Sequence, residues 1–99
     1  MRYTPTPGML VHSKAGRDAG RAFLIREVLS SEFVTVVDGD LRRIKTPKKK
    51  KIKHLKLTPK VDEALQKGFI QGIIINDAQV RASIKALTEK QTARKQSED

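Results

Sequence analysis

The residues in this 99-residue chain whose types and spacing could do chemistry are its lysines and arginines, and what they offer is neutralisation of a polyanion. Between Leu41 and Lys60 stand ten of them, Arg42, Arg43, Lys45, Lys48, Lys49, Lys50, Lys51, Lys53, Lys56 and Lys60, without one aspartate or glutamate. The chain carries 21 basic and 11 acidic residues, so 21 less 10 leaves 11 bases against 11 acids elsewhere, and the net charge of +10 is one local patch. A lysine ammonium is a compact, hydrated charge on a flexible stem, suited to phosphate oxygens and unsuited to reading base edges. A partner gripped this way should be lost with salt, by roughly 10³- to 10⁵-fold between low and moderate ionic strength if about six to ten phosphates are met.

A second basic set, Lys14, Arg17 and Arg21, lies in the segment KAGRDAGR. Gly16 and Gly20 there would let the main chain approach closely enough for N–H groups to join in phosphate binding. Asp18 is expected to hold this loop by bonding its own backbone. Arg42 and Arg43, placed on a strand, would point to opposite faces, one toward the polyanion and one with its stem packed. His54 is a candidate contact to phosphate or base, with a surface or packing role as the alternative. His12 is expected to be structural.

Other chemistries find little support in the sequence. There is no cysteine, hence no disulfide or thiolate, and neither histidine has acids near it at metal-ligand spacing. No phosphate-cradling GxxxxGK[ST] segment and no nucleophile with a paired base occurs, so an enzyme, a cofactor and a small-molecule substrate are not expected. The aromatics are Tyr3, Phe23, Phe33 and Phe69, and Phe23 and Phe33 are assigned to the core, which leaves no stacking platform for single strands. The expected target is a folded or duplex nucleic-acid surface. MRYTPTPG has no apolar run for a signal peptide and nothing approaches a membrane span, so a cytoplasmic place and no membrane partner are expected. Pro47–Lys51 is also compatible with a nuclear import signal.

The elements that must position these cations read first as β and then as helix. Candidate strands are Gly8–Ser13, Arg21–Leu29, Phe33–Val37, Leu41–Lys45 and Ile52–Leu57, separated by the Lys14–Gly20 loop, a Ser30–Glu32 turn and an Asp38-Gly39 hairpin turn. Pro47 and the four lysines after it read as an exposed loop. Five short strands within 50 residues predict a small barrel with a core of Leu10, Phe23, Ile25, Val28, Val34, Val36, Leu41, Ile44, Ile52 and Leu55, its register open by one residue.

Beyond it the period changes. Thr58-Pro59 predicts the start of a short helix carrying Val61, Ala64 and Leu65 on one face and stopped by Gly68. Asn76 and Gln79 predict a capping box, Ile75 and Val80 a hydrophobic staple, and Val80, Ile84 and Leu87 one buried face. Gly68–Ile75, the most hydrophobic stretch, is read as packing between helices and barrel, with a partner-docking surface as the alternative. The domain reading is a β-barrel with basic loop over 1–58, a helical extension over 59–90 and a disordered tail over 91–99.

The stretch GMLVHSKAGRDAGRAFLIREVL, followed by FVTVVDGDLRRIKTPKKKKIKHLKLT, resembles the KOW-domain ribosomal proteins of the large subunit. The resemblance spans residues 8–58. Gly8 matches the glycine that opens the KOW motif, Ala15–Arg21 its loop with Gly20 as the central glycine, and Lys53-His54-Leu55 the way such barrels close. It implies a mainly β fold, a five-stranded SH3-like barrel followed by two short C-terminal helices, that contacts ribosomal RNA of the large subunit through basic loops. Ribosomal proteins would be further partners at residues 68–87. The alternative is an accessory or regulatory factor, in ribosome assembly or transcription elongation, with the barrel on nucleic acid and the helices on a protein.

Overall fold

The computed structural model describes residues 3–98, with side chains described through 89. Five strands, β1 (Met9–Ser13), β2 (Ala22–Val28), β3 (Phe33–Val37), β4 (Lys48–Lys51) and β5 (Leu55–Val61), precede two helices, α1 (Glu63–Gln71) and α2 (Asp77–Glu98). Single 3-10 turns at Gly16–Asp18 and Ile52–His54 link β1 to β2 and β4 to β5. The pairings are antiparallel in the order β4-β3-β2-β1-β5. The two edge strands are consecutive in sequence with three residues between them, a reach of at most about 14 Å. The sheet must therefore coil until its edges approach at that end, although no ladder joins β4 to β5 and the sheet is not closed.

Strand side chains alternate between faces, and this chain fills both. Met9, Val11, Phe23, Ile25, Val34, Val36 and Leu55 form the inner cluster. Leu10, Leu24 and Val37 point the other way and pack with Leu65, Ile75, Val80 and Leu87. Each of those four helix-side residues contributes about 1.5–3 kcal/mol of apolar burial. Against a total stability of about 5–15 kcal/mol, the helices are half of a second core and not an appendage. Leu10, expected in the core of a barrel, thus belongs to the outer layer and not to the inner cluster. Val28 and Leu41, also assigned to the core, are 40% and 62% exposed.

The fourth strand is Lys48–Lys51, in place of Leu41–Lys45, and the lysines are not a loop. Asp38 captures the amides of Asp40 and Arg42 (2.9 and 2.8 Å), which holds the chain in a turn and delays pairing until after Pro47. β4 pairs only with β3, and a sheet edge tolerates lysines because its other side faces solvent. Similarly, Thr58-Pro59 does not open a helix: both lie in β5, so a domain boundary at 58/59 would cut a strand. Proline is admitted there because β5 is an edge and its register with β1 shifts between Met9 and Val11. The Thr58 hydroxyl donates to the Leu10 carbonyl at 2.6 Å, supplying a donor at that irregularity.

Asp62 caps α1, accepting from the Leu65 amide at 3.0 Å, so Val61 precedes the helix. Gly68 lies inside α1 and does not stop it; α1 ends at Gly72, whose φ of 77° suits a left-handed cap. A Cβ on Gly68 would collide with the Ile75 side chain, so this glycine lets the linker pack back on the helix. The Asn76 capping box forms in both directions, at 2.8 and 2.9 Å, and the staple residues Ile75 and Val80 are both buried in the outer cluster. The α2 helix is also pinned by polar contacts. The Ile44 amide donates to Asp77 at 2.9 Å, Ser83 donates to Asp62 at 2.6 Å, and Arg81 donates to the Gly39 carbonyl. Gly39, at φ 76°, lies so close to α2 that a Cβ would overlap the Asp77 carbonyl. Among the described residues no helix is long and apolar enough to cross a membrane. The expectation for 91–99 lies outside the residues with described side chains.

His12 lies half-buried on β1 opposite Lys56. Burial first, then the charges of Lys56 and Lys60, hold its imidazole below the ordinary value of 6.5. The unfolded chain therefore takes up this proton at a higher pH than the fold does. Stability is full above about pH 6.5 and declines as pH falls through the lowered folded value. In His12→Gln that decline should disappear from chemical denaturation run between about pH 7 and pH 5; an unchanged slope would assign it to another group.

Candidate nucleic-acid interface

Two segments about forty residues apart in sequence meet at one end of the sheet. The Lys14 amide donates to the His54 carbonyl at 2.8 Å, one step beyond the Ser13–Leu55 strand pair. The β1–β2 loop is closed beneath by Ser13 N to Arg21 O at 3.0 Å and Gly20 N to Ser13 O at 2.7 Å. Gly16 and Gly20 both take positive φ in this loop, and Gly8 does so where a Cβ would press on the Asp62 carbonyl and Gln66. The result joins the loop that carries Lys14 and Arg17 to the segment that carries Lys53 and His54, with Lys56 a step along β5, all exposed. Among the described residues none of these four cations is in an ion pair.

The lysines of β4 divide by the alternation of the strand. Lys48 and Lys50 stand opposite Val36 and Val34. Their ammonium groups lie 3.7 and 3.6 Å from the Asp18 carboxylate, which is 11% exposed. Lys50 also donates to the Ser13 hydroxyl at 3.1 Å and is itself only 10% exposed. Asp18 therefore ties the β1–β2 loop to the β4 edge through its side chain, while its carbonyl accepts the Arg21 amide at 2.8 Å. Lys49 and Lys51 face outward with Thr35 and Phe33, and the Lys49 ammonium sits 4.5 Å from the centre of the Phe33 ring. Phe33 is thus a half-buried platform for lysine stems and not part of the inner core.

Arg21 is not a free clamp. Its Nε donates to the Asp38 carboxylate at 2.8 Å, and Nη2 reaches Asp40 at 3.5 Å. Burial pushes the Asp38 carboxyl up, but the Arg21 hydrogen bond, the Arg42 and Asp40 amides and the Arg21 charge together hold it below its ordinary value of 3.8. Asp38 thereby links the 38–42 loop to the β1–β2 loop. Of the pair read as alternating on a strand, Arg43 is exposed and donates to the Asp40 carbonyl at 3.2 Å. Arg42 is half-buried, and its Nε has no partner among the described residues. Lys45 is exposed next to Ile44, at the start of α2.

The organising role of Asp38 was missed because Asp-Gly between apolar runs reads first as a two-residue hairpin. An aspartate that accepts amides two and four residues on holds a wider loop. Asp38→Ala should cost about 2 kcal/mol, chiefly because two loop amides lose their acceptor, while the 38%-exposed Arg21 is rehydrated and contributes less. Asp38→Asn keeps Oδ1 for both amides and loses only the Arg21 link, so it should cost less than half as much. Equal losses in urea denaturation would mean that the loop amides contribute nothing.

Comparison with protein-family models gives no match, and comparison with curated proteins gives none. The functional reading accordingly rests on the geometry of the site and on the sequence motifs.

Proposed function

We propose that this chain is a non-catalytic RNA-binding protein of the KOW type, whose coiled sheet works as an SH3-like barrel. Its target is structured ribosomal RNA of the large subunit, and its place is the cytoplasm. The observation that carries the reading is the Lys14–His54 backbone link, which brings the loop carrying Lys14 and Arg17 to the segment carrying Lys53 and Lys56, four exposed cations outside the observed ion pairs. Lys45, Lys49, Lys51 and Arg43 extend the positive field outside it, while Lys48 and Lys50 chiefly hold the loop in place through Asp18. Lysines and a loop of this kind meet phosphates by position and charge, and shape supplies the selectivity.

The packing of Val80, Ile84 and Leu87 against the sheet favours the component reading, because those residues are occupied within the fold. The accessory-factor reading is kept alive by a different observation: Ile73 and Ile74, in the linker between the helices, are 59% and 93% exposed. Sucrose-gradient sedimentation of cell lysate at low and high salt separates the two. Comigration with mature large subunits that survives high salt supports a ribosomal component, and association confined to subunit precursors supports an assembly factor. A chain that stays at the top of the gradient in both conditions overturns the ribosomal target.

A further inference from the structure

The exposed isoleucines belong to a groove whose apolar walls the RNA reading leaves unused. The α1–α2 linker, the α1 residue Phe69 and the loop residue Ile44 enclose a cleft of about 420 Å³, within the range of small binding pockets. Its walls are Ile44, Phe69, Ile73, Ile74 and Ile75, and Arg26 and Lys45 stand in its lining. Loops ordinarily carry polar residues outward, and exposed apolar side chains gathered in one concavity mark a contact surface. Ile74 has almost no packing role in the fold, so intramolecular stability does not account for an isoleucine there. RNA does not account for it either, because a phosphate surface gains nothing from aliphatic side chains.

We infer that this groove binds a short apolar segment of a protein partner that also carries a carboxylate. The charge of the lining selects this occupant. Arg26 comes from β2, where the register with β3 shifts between Ile25 and Glu27, and its guanidinium meets Glu27 only at 4.0 Å. Its Nε is buried without a hydrogen-bond partner. Lys45 adds a second, exposed cation. The one carboxylate in the lining, Asp77, is engaged by the Ile44 amide at 2.9 Å and leaves a net positive site. An aliphatic or aromatic side chain would fill the space between Phe69 and Ile74, and an aspartate or glutamate beside it would reach the cations. A basic partner would be repelled by the +10 charge of the chain as a whole. The groove is bounded by helices pinned through Asp62, Asp77 and Asn76, so the surface is preformed.

The test uses the intact chain, treated with nuclease and immobilised, as bait for a library of random short peptides displayed on phage. The same selection is run against Ile74→Asp and Arg26→Glu. Because Ile74 is 93% exposed, its substitution should leave the thermal midpoint and the RNA affinity unchanged, which separates this inference from the RNA reading. Enriched peptides should combine bulky apolar residues with Asp or Glu. Each variant should bind them at least about tenfold more weakly, and binding to the parent chain should weaken as salt rises. Enrichment no greater than on Ile74→Asp, or enriched peptides without carboxylates, would overturn the proposal. So would either of two other occupants: an Ile74-dependent dimer in analytical ultracentrifugation, or Ile74-dependent flotation with anionic lipid vesicles.

Discussion

Val80→Asp should lower stability by about 4 kcal/mol or more, enough to shift the thermal midpoint of a chain this size by roughly 16–30 °C. Val80 is fully buried between α2 and the outer face of the sheet, in contact with the cluster that contains Leu10, Leu24 and Val37. A carboxylate there either stays charged without a partner or forces α2 off the sheet. In the second case the apolar face of β1, β2 and β3 is uncovered. Both routes remove the same core, so the loss should extend to the strands and appear as a single cooperative transition that includes the sheet. A separate early transition confined to helical signal, or a cost below about 1 kcal/mol, would show that the helices do not share a core with the sheet in solution. For the same reason a 1–58 fragment is a poor carrier of RNA-binding activity: it ends inside β5 and lacks the cover for Leu10, Leu24 and Val37.

The combined variant Lys14→Gln, Arg17→Gln, Lys53→Gln and Lys56→Gln should weaken binding to structured RNA by about 10²- to 10³-fold at moderate salt. That figure allows about 0.7–1 kcal/mol for each lost phosphate contact. The slope of log affinity against log salt should flatten by about three units, since each neutralised phosphate accounts for about 0.7–0.9. All four side chains are exposed and outside the observed ion pairs, so the denaturation midpoint should hardly move. The contrasting substitution is Lys50→Gln. Lys50 is 10% exposed and engaged by Asp18 and Ser13, so its loss should cost stability and leave the salt slope almost unchanged. Reversal of these two patterns would move the interface from the loop cluster to the β4 edge.

The first three strands and the capping box were legible in the sequence because their signals are local. Short β-branched and aromatic runs mark β2 and β3, and Asn76 with Gln79 marks the start of α2 at the observed residues. What failed depends on contacts distant in sequence. Whether Lys48–Lys51 pairs with β3 depends on how far Asp38 delays the returning chain, and four consecutive lysines carry no apolar alternation to announce it. The assignment of Leu10 to the outer layer follows from the helices covering that face, which a reading of β1 alone does not reveal. The candidate site divides in the same way. Residue type singled out the cations, but the acids that restrain Arg21 and Lys50 lie 17 and 32 residues away, at Asp38 and Asp18.

The most direct test of the central claim is ultraviolet crosslinking of the intact chain to isolated large-subunit ribosomal RNA, with the crosslinked peptides mapped by mass spectrometry. Crosslinks should concentrate at residues 14–17 and 53–56, fade together as salt rises, and fall away in the four-glutamine variant. Crosslinking no stronger than that of an uncharged control protein, or crosslinks centred on the linker isoleucines, would contradict RNA binding through this face.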